Sequence, residues 1–216
     1  MTKSTRTSPG ARPTRLAFLL ALSSLLLLCL SLSASPAHAQ NGLLGLYYAY
    51  SPSLPSPPDR TKVFTDANLV LLRVDQTVDF DFGTGSPDPS LPSDKFAIRW
   101  LGQVTAPVSE DFTFYTESDD GSRLWISPNP IDPANPGTPA VDNWKDQGPT
   151  EVASNPITLT AGLKYYIMVE YYENGGGAVV HVRWQSASTP KDIIPATALT
   201  PAPSPVPTGT INGTVT

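Results

Sequence analysis

Apolar residues in this chain recur at every second position rather than every third or fourth, and that spacing restricts the fold more than any other feature. Val78, Phe80 and Phe82 share one face of "TVDFDFG", and Phe96, Ile98 and Trp100 share one face of "KFAIRWLGQV". The same alternation places Phe112 with Phe114, Leu124 with Ile126, and Ile157 with Leu159. Two long runs, "LKYYIMVEYYE" and "GAVVHVRWQS", follow, and "GLLGLYYAY" from Gly42 to Tyr50 opens the series. No window holds helical spacing for three turns. Many short strands separated by turn residues predict an all-β fold, an antiparallel β-sandwich of jelly-roll-like type.

Proline explains the gaps between the runs. "SPSLPSPPD", "GSPDPSLPSD" and "SPNPIDPANPGTP" are expected to be extended loops, because proline lacks a donor and holds its neighbours out of helical geometry. From Pro201 the segment "PAPSPVPTGT" has the composition of a linker, and "INGTVT" is suited to begin another strand of a further domain.

The N-terminus reads as a secretory leader. Lys3, Arg6, Arg12 and Arg15 precede an apolar run from Leu16 to Leu32, and "AHAQ" supplies an A-x-A cleavage signal at Ala37 and Ala39. That run is shorter than the roughly 20 residues of a spanning helix, so cleavage after Ala39 and a secreted, extracellular product are expected, with no membrane insertion afterwards. The expected organisation is therefore leader 1–39, sandwich domain 40–198 and a Pro/Thr-rich segment 199–216. The single cysteine, Cys29, lies in the leader, so the mature domain has no disulfide and must be stabilised by burial.

Loss of the leader removes four of the 14 basic residues and none of the 19 acidic ones, which leaves a strongly acidic domain. Such a charge argues against nucleic acid and anionic membrane as partners. Catalytic signatures are equally scarce. His181 is the one histidine outside the leader, and H-E-x-x-H, G-x-S-x-G and a cysteine nucleophile are all missing from the mature sequence. Glu117, Glu151 and Glu173 leave a carboxylate-pair glycosidase as a formal alternative, but the chain is not expected to be an enzyme.

The stretches "FAIRWLGQV", "DFTFYTESDDGSRLWI", "VDNW", "ITLTAGLKYYIMVEYYENGGGA" and "VRW", in this order, resemble the protective-antigen fourteen-kilodalton (PA-14) module. The resemblance runs from about Gly42 to about Pro195 and implies a β-sandwich found in toxins, adhesins, glycosidases and proteases. Some members are lectins that hold a calcium ion (Ca2+) on paired aspartates of one loop and an Asn-bearing second loop. Carried over, this implies Asp119, Asp120 and Asn174 as ligands of the ion and of a glycan or polysaccharide. Gly175 and Gly176 would contribute backbone to the metal site, and Gly177 would lie beside the sugar. The family's lectins join the paired aspartates by a cis peptide bond, since neighbouring strand residues otherwise point to opposite faces. This chain departs from the sugar-binding adhesins, which carry disulfides and inserted loops.

Without the resemblance, Asp120-Gly121 between two alternating runs is a hairpin turn and "NGGG" is an ordinary hairpin loop. Both readings stand at this point. Trp184 is expected in the core with Val180 and Val182, Trp125 facing outward, and Trp144 is undecided. Arg123 and Glu170 are expected in structural salt bridges, and His181 on the solvated face. The function that follows is a lectin-like, carbohydrate-binding module, and the alternative is a non-catalytic interaction or spacer module of a larger secreted or cell-surface protein.

Overall fold

A computed structural model describes Met1 and residues 40–204. The expected leader, with Cys29, and the segment 205–216 lie outside the described residues. No helix among the described residues is long and apolar enough to cross a membrane.

The strands are β1 (Leu43–Ala49), β2 (Leu69–Asp75), β3 (Asp79–Gly83), β4 (Phe96–Thr105), β5 (Glu110–Asp119), β6 (Gly121–Ser127) and β7 (Val141–Asn143). They continue with β8 (Thr150–Ala153), β9 (Ile157–Leu159), β10 (Lys164–Glu173), β11 (Ala178–Gln185), β12 (Asp192–Ile193) and β13 (Leu199–Pro201). The one α-helix among the described residues, α1 (Arg60–Val63), is a single turn whose first N–H groups are capped by Asp59.

Two antiparallel sheets form the expected sandwich. One has the order β2-β1-β4-β10-β6-β7, with β13 also paired to β4; the other runs β12-β11-β5-β8, with β3 on β11 and β9 on β5. The inward residues named from alternation, among them Phe96, Ile98, Trp100, Phe112, Phe114, Leu124 and Leu159, pack in the shared core. Trp184 joins them, as expected. The sheet runs on past residue 198, since Leu199, Thr200 and Pro201 pair with Val104, Gln103 and Gly102.

Gly102 shows how tightly that last strand is seated. A Cβ there would stand 2.4 Å from the Thr200 carbonyl oxygen and 2.6 Å from Leu43 Cδ2. Gly102→Ala is therefore expected to destabilise the domain by about 2 kcal/mol through overpacking, read as a lowered midpoint of thermal or urea unfolding.

The outer face of the first sheet departs from the simple alternating pattern. Ala97, Arg99, Glu170 and Tyr172 are all buried although they face away from the shared core. The segment around α1 and the loop preceding β7 cover them, as when Arg60 donates to the Pro133 carbonyl. Period-two reasoning detects one buried face and is silent about a second one covered by irregular chain. This corrects the placement of Trp125, which is 4% exposed and donates its indole N–H to the Gly137 carbonyl. His181 is also corrected: it is partly covered, and its Nδ1 lies 2.6 Å from Asp79 Oδ1 across the β3–β11 ladder. Arg123 and Glu170 lie opposite each other in register, yet Arg123 pairs with Asp142 while Glu170 pairs with Arg60 and Arg99.

Candidate metal centre

The hairpin reading of Asp120-Gly121 does not hold. Strand β5 pairs with β11, β8 and β9, whereas β6 pairs with β10 and β7, so the chain passes from one sheet to the other through Asp120 alone. "NGGG" is not a hairpin loop either, because it carries the chain from β10 in the first sheet to β11 in the second. The two corners lie side by side, since Asp119 is in register with Val179 and Gly121 with Tyr172. Neighbouring loops at one end of the sandwich thus bring together residues more than 50 positions apart.

The local chemistry of each corner fits this crossing. The Asp119–Asp120 peptide bond is cis. Gly121 is required by close approach, because a Cβ there would stand 2.3 Å from the Tyr172 ring and 2.9 Å from the Lys145 backbone nitrogen. Gly176, with φ of 114°, takes a conformation that disfavours any side chain.

Asp119, Asp120 and Glu173 each offer one carboxylate oxygen, and all three lie within 4.8 Å of one another. Asp120 accepts from the Gln147 N–H at 3.1 Å through Oδ1 and from the Asn174 N–H at 2.8 Å through Oδ2. Tyr171 donates its hydroxyl to the Asp119 carbonyl at 2.6 Å and contacts Glu173 Oε2 at 3.3 Å. Tyr50 holds the Glu173 carbonyl at 2.8 Å. Glu173 is 0% exposed, and its Oε1 has no hydrogen-bond partner.

That orphaned oxygen separates Glu173 from the buried carboxylates that serve structure alone. Asp75 accepts from Tyr47, Trp100 and Arg73, and Glu170 from Arg60 and Arg99. Each has a cation beside it, as a buried charge requires. Glu173 has two further carboxylates instead. Burial, then Asp120 and Asp119, push its carboxyl up to about 8. Burial also raises Asp119, with Asp120 adding to the shift. Burial raises Asp120 in spite of the N–H groups of Asn174 and Gln147, which favour its charged form. Three crowded carboxylates with one unpartnered buried oxygen suit a hard divalent cation, and calcium, which takes six to eight oxygens, fits that donor set.

The residues implied by the resemblance are thus gathered, with one difference of detail. Asn174 meets the cluster through its backbone N–H, while its amide oxygen accepts from Lys95 Nζ and its amide nitrogen lies 3.3 Å from Asp146 Oδ2. The Gly176 N–H donates to Asp94 Oδ1 at 3.3 Å, and a Cβ on Gly175 would stand 3.9 Å from that same oxygen. A Cβ on Gly177 would stand 3.5 Å from Asp119 Oδ2, so this glycine flanks the pair. Lys95, Asp94, Asp146 and Gln147 were not foreseen as site residues, and Glu173 was named only as a possible catalytic acid, not as a metal ligand. The signal for Glu173 was its place next to Asn174, at the end of a long apolar strand run.

The PA14 domain family model matches residues 40–198. The chain belongs to the PA14 domain family. Over 142 residues it is 42% identical to the anti-sigma-I factor RsgI3 of Acetivibrio thermocellus, a match that covers 66% of this chain and 20% of that protein. An anti-sigma factor domain-containing protein from Clostridium clariflavum is 33% identical, with a TM-score of 0.62, over 80% of this chain and 51% of the other. A PA14 sugar-binding domain from an RTX adhesin has a TM-score of 0.57 at 16% identity, covering 76% of this chain and all of that domain, and so shares the fold. The chain spans a fifth of the curated relative and about half of the solved anti-sigma factor chain. Trp144, the PA14 residue left undecided above, is part-buried, 4.6 Å from the Tyr172 ring, with its N–H on the Pro58 carbonyl. It braces the loops around the corner.

Proposed function

We propose that this domain is an extracellular, non-catalytic carbohydrate-binding module that holds a calcium ion on Asp119, Asp120 and Glu173. The observation that carries the reading is the buried Glu173 Oε1, which has no partner and lies in a three-carboxylate cluster. By the family resemblance, the Asn174 amide oxygen and the carbonyls of Gly175 and Gly176 would be the neutral donors, and Gly177, which flanks Asp119, would lie beside the sugar. The bound ion would supply positive charge that sugar hydroxyls can coordinate. The sugar-binding PA14 domain of similar fold supports the choice of ligand class.

A longer parent protein is part of the proposal. The relatives named as anti-sigma factors extend well beyond the region matched, which favours a domain that reports a glycan or polysaccharide outside the cell to further domains. A sugar-blind spacer is the competing reading, and the same experiment separates the two. Millimolar calcium is expected to raise the unfolding temperature by several degrees, as a ligand specific to the native state does, and chelator is expected to reverse it. The double substitution Asp119→Ala with Asp120→Ala should remove the shift. On a glycan array, retention should occur with calcium and vanish with chelator. Calcium stabilisation with no glycan retained would favour the spacer, and no stabilisation at all would end the calcium reading.

A further inference from the structure

The loop before β4 reaches over the acidic corner with a residue that has no part in the donor set. Lys95 is the one non-glycine residue with positive φ among the described residues, at 61°, in a region that side chains disfavour. Its carbonyl accepts from the Tyr50 N–H at 2.9 Å, the same Tyr50 whose hydroxyl holds the Glu173 carbonyl. The preceding Asp94 accepts from the Gly176 N–H. The turn is therefore tied both to the Glu173 backbone and to the glycine loop.

Its ammonium donates to Asn174 Oδ1, while the other end of that amide is on Asp146. This orientation is fixed by chemistry, because an ammonium can only donate and a carboxylate can only accept. The amide oxygen that the family resemblance implies as a ligand is thus held by a cation belonging to the chain itself. The ammonium is thereby tethered next to Asn174, whose backbone N–H is held by Asp120 Oδ2.

We propose that Lys95 sets the affinity of this site for its divalent cation, by opposing the ion's charge and by retaining the Asn174 amide oxygen until the ion displaces it. The inference rests on the calcium reading above. Lys95 is a positioning residue that acts through Asn174, and it keeps the site from saturating at the lowest ion concentrations.

Calorimetric titration of the full chain with calcium alone tests this. Lys95→Met should bind calcium roughly three- to tenfold more tightly than the wild type, as loss of one nearby positive charge predicts. Lys95→Gly, which suits the positive φ, should show the same gain and guards against a misfolded variant. In an Asn174→Ala background the gain should shrink, because the oxygen Lys95 holds is gone. Unaltered or weaker binding by both Lys95 variants, with the wild type binding normally, overturns the role of Lys95 and leaves the calcium site intact. Failure of all three proteins to bind overturns both. Binding by the variants but not by the wild type would support Lys95 as the block.

Discussion

Glu173→Gln is expected to make the calcium-free domain more stable and, at the same time, to abolish most of its response to calcium. The carboxyl is fully buried beside Asp119 and Asp120, with one oxygen unpartnered and its pKa pushed up to about 8. Folding in chelator at pH 8 therefore confines a further, half-developed negative charge, where the unfolded chain would keep the full charge in water. A raised pKa means that the native state binds the proton more tightly than the unfolded one. Stability is then fullest below about 4.5, the ordinary value for glutamate, and falls as pH rises towards 8. Burial also raises Asp119 and Asp120, which add to the same slope. Glutamine has the same shape and no charge, and its amide can donate to either aspartate. The gain at pH 8 in chelator should be on the order of 2 kcal/mol, with a flatter profile between pH 5 and 8. Calcium should reverse the order of the two proteins, because the ion has lost one of three anionic ligands and affinity should fall roughly 100-fold. Denaturant titrations at pH 5, 6.5 and 8, with calcium and with chelator, read both effects. A variant that is less stable in chelator would mean that Glu173 serves packing alone.

That pair of opposite effects could not have been anticipated from the local pattern. Alternation exposed the strands because each buries a face whose period is written in consecutive residues, as in Phe96, Ile98 and Trp100. Which strand pairs with which is not written that way. Asp120-Gly121 and "NGGG" have the composition of hairpin loops, and only the order of strands in the two sheets turns them into corners. The aspartate pair and the glycine loop were legible through the family resemblance. Lys95, Asp146 and Gln147 were not, because loops without periodicity bring them to the corner from other parts of the chain. The salt bridge of Glu170 was expected, but its partners and the cover over Trp125 escaped for a related reason: the chain that covers this face is irregular and Pro-rich, and no pattern in β6 or β10 announces it.

The covered outer face carries the largest stability effect expected in the domain. Glu170 is 0% exposed and shares one carboxylate between two guanidinium groups. Its Oε1 accepts from Arg99 Nε at 2.9 Å, Arg99 Nη2 at 2.5 Å and Arg60 Nη2 at 2.6 Å, and its Oε2 from Arg60 Nε at 3.0 Å. Arg99 is 8% exposed, with its guanidinium 4.2 Å from the centre of the Phe64 ring. Removal of the carboxylate would leave that charge enclosed with no anion. Arg60, more exposed and also bonded to the carbonyls of Pro133 and Ala134, can turn outward. Glu170→Leu should therefore cost about 3–5 kcal/mol, the usual penalty for breaking one partner from a buried pair. Arg60→Met should cost about 1 kcal/mol, since the Arg99–Glu170 pair survives it. The decisive variant is the double substitution Glu170→Leu with Arg99→Met, which removes both enclosed charges and should recover most of the lost stability. Urea unfolding of the three proteins gives the comparison. A double variant as unstable as Glu170→Leu alone would show that the carboxylate matters for holding α1 and the loop before β7 onto the sheet, and not for neutralising Arg99.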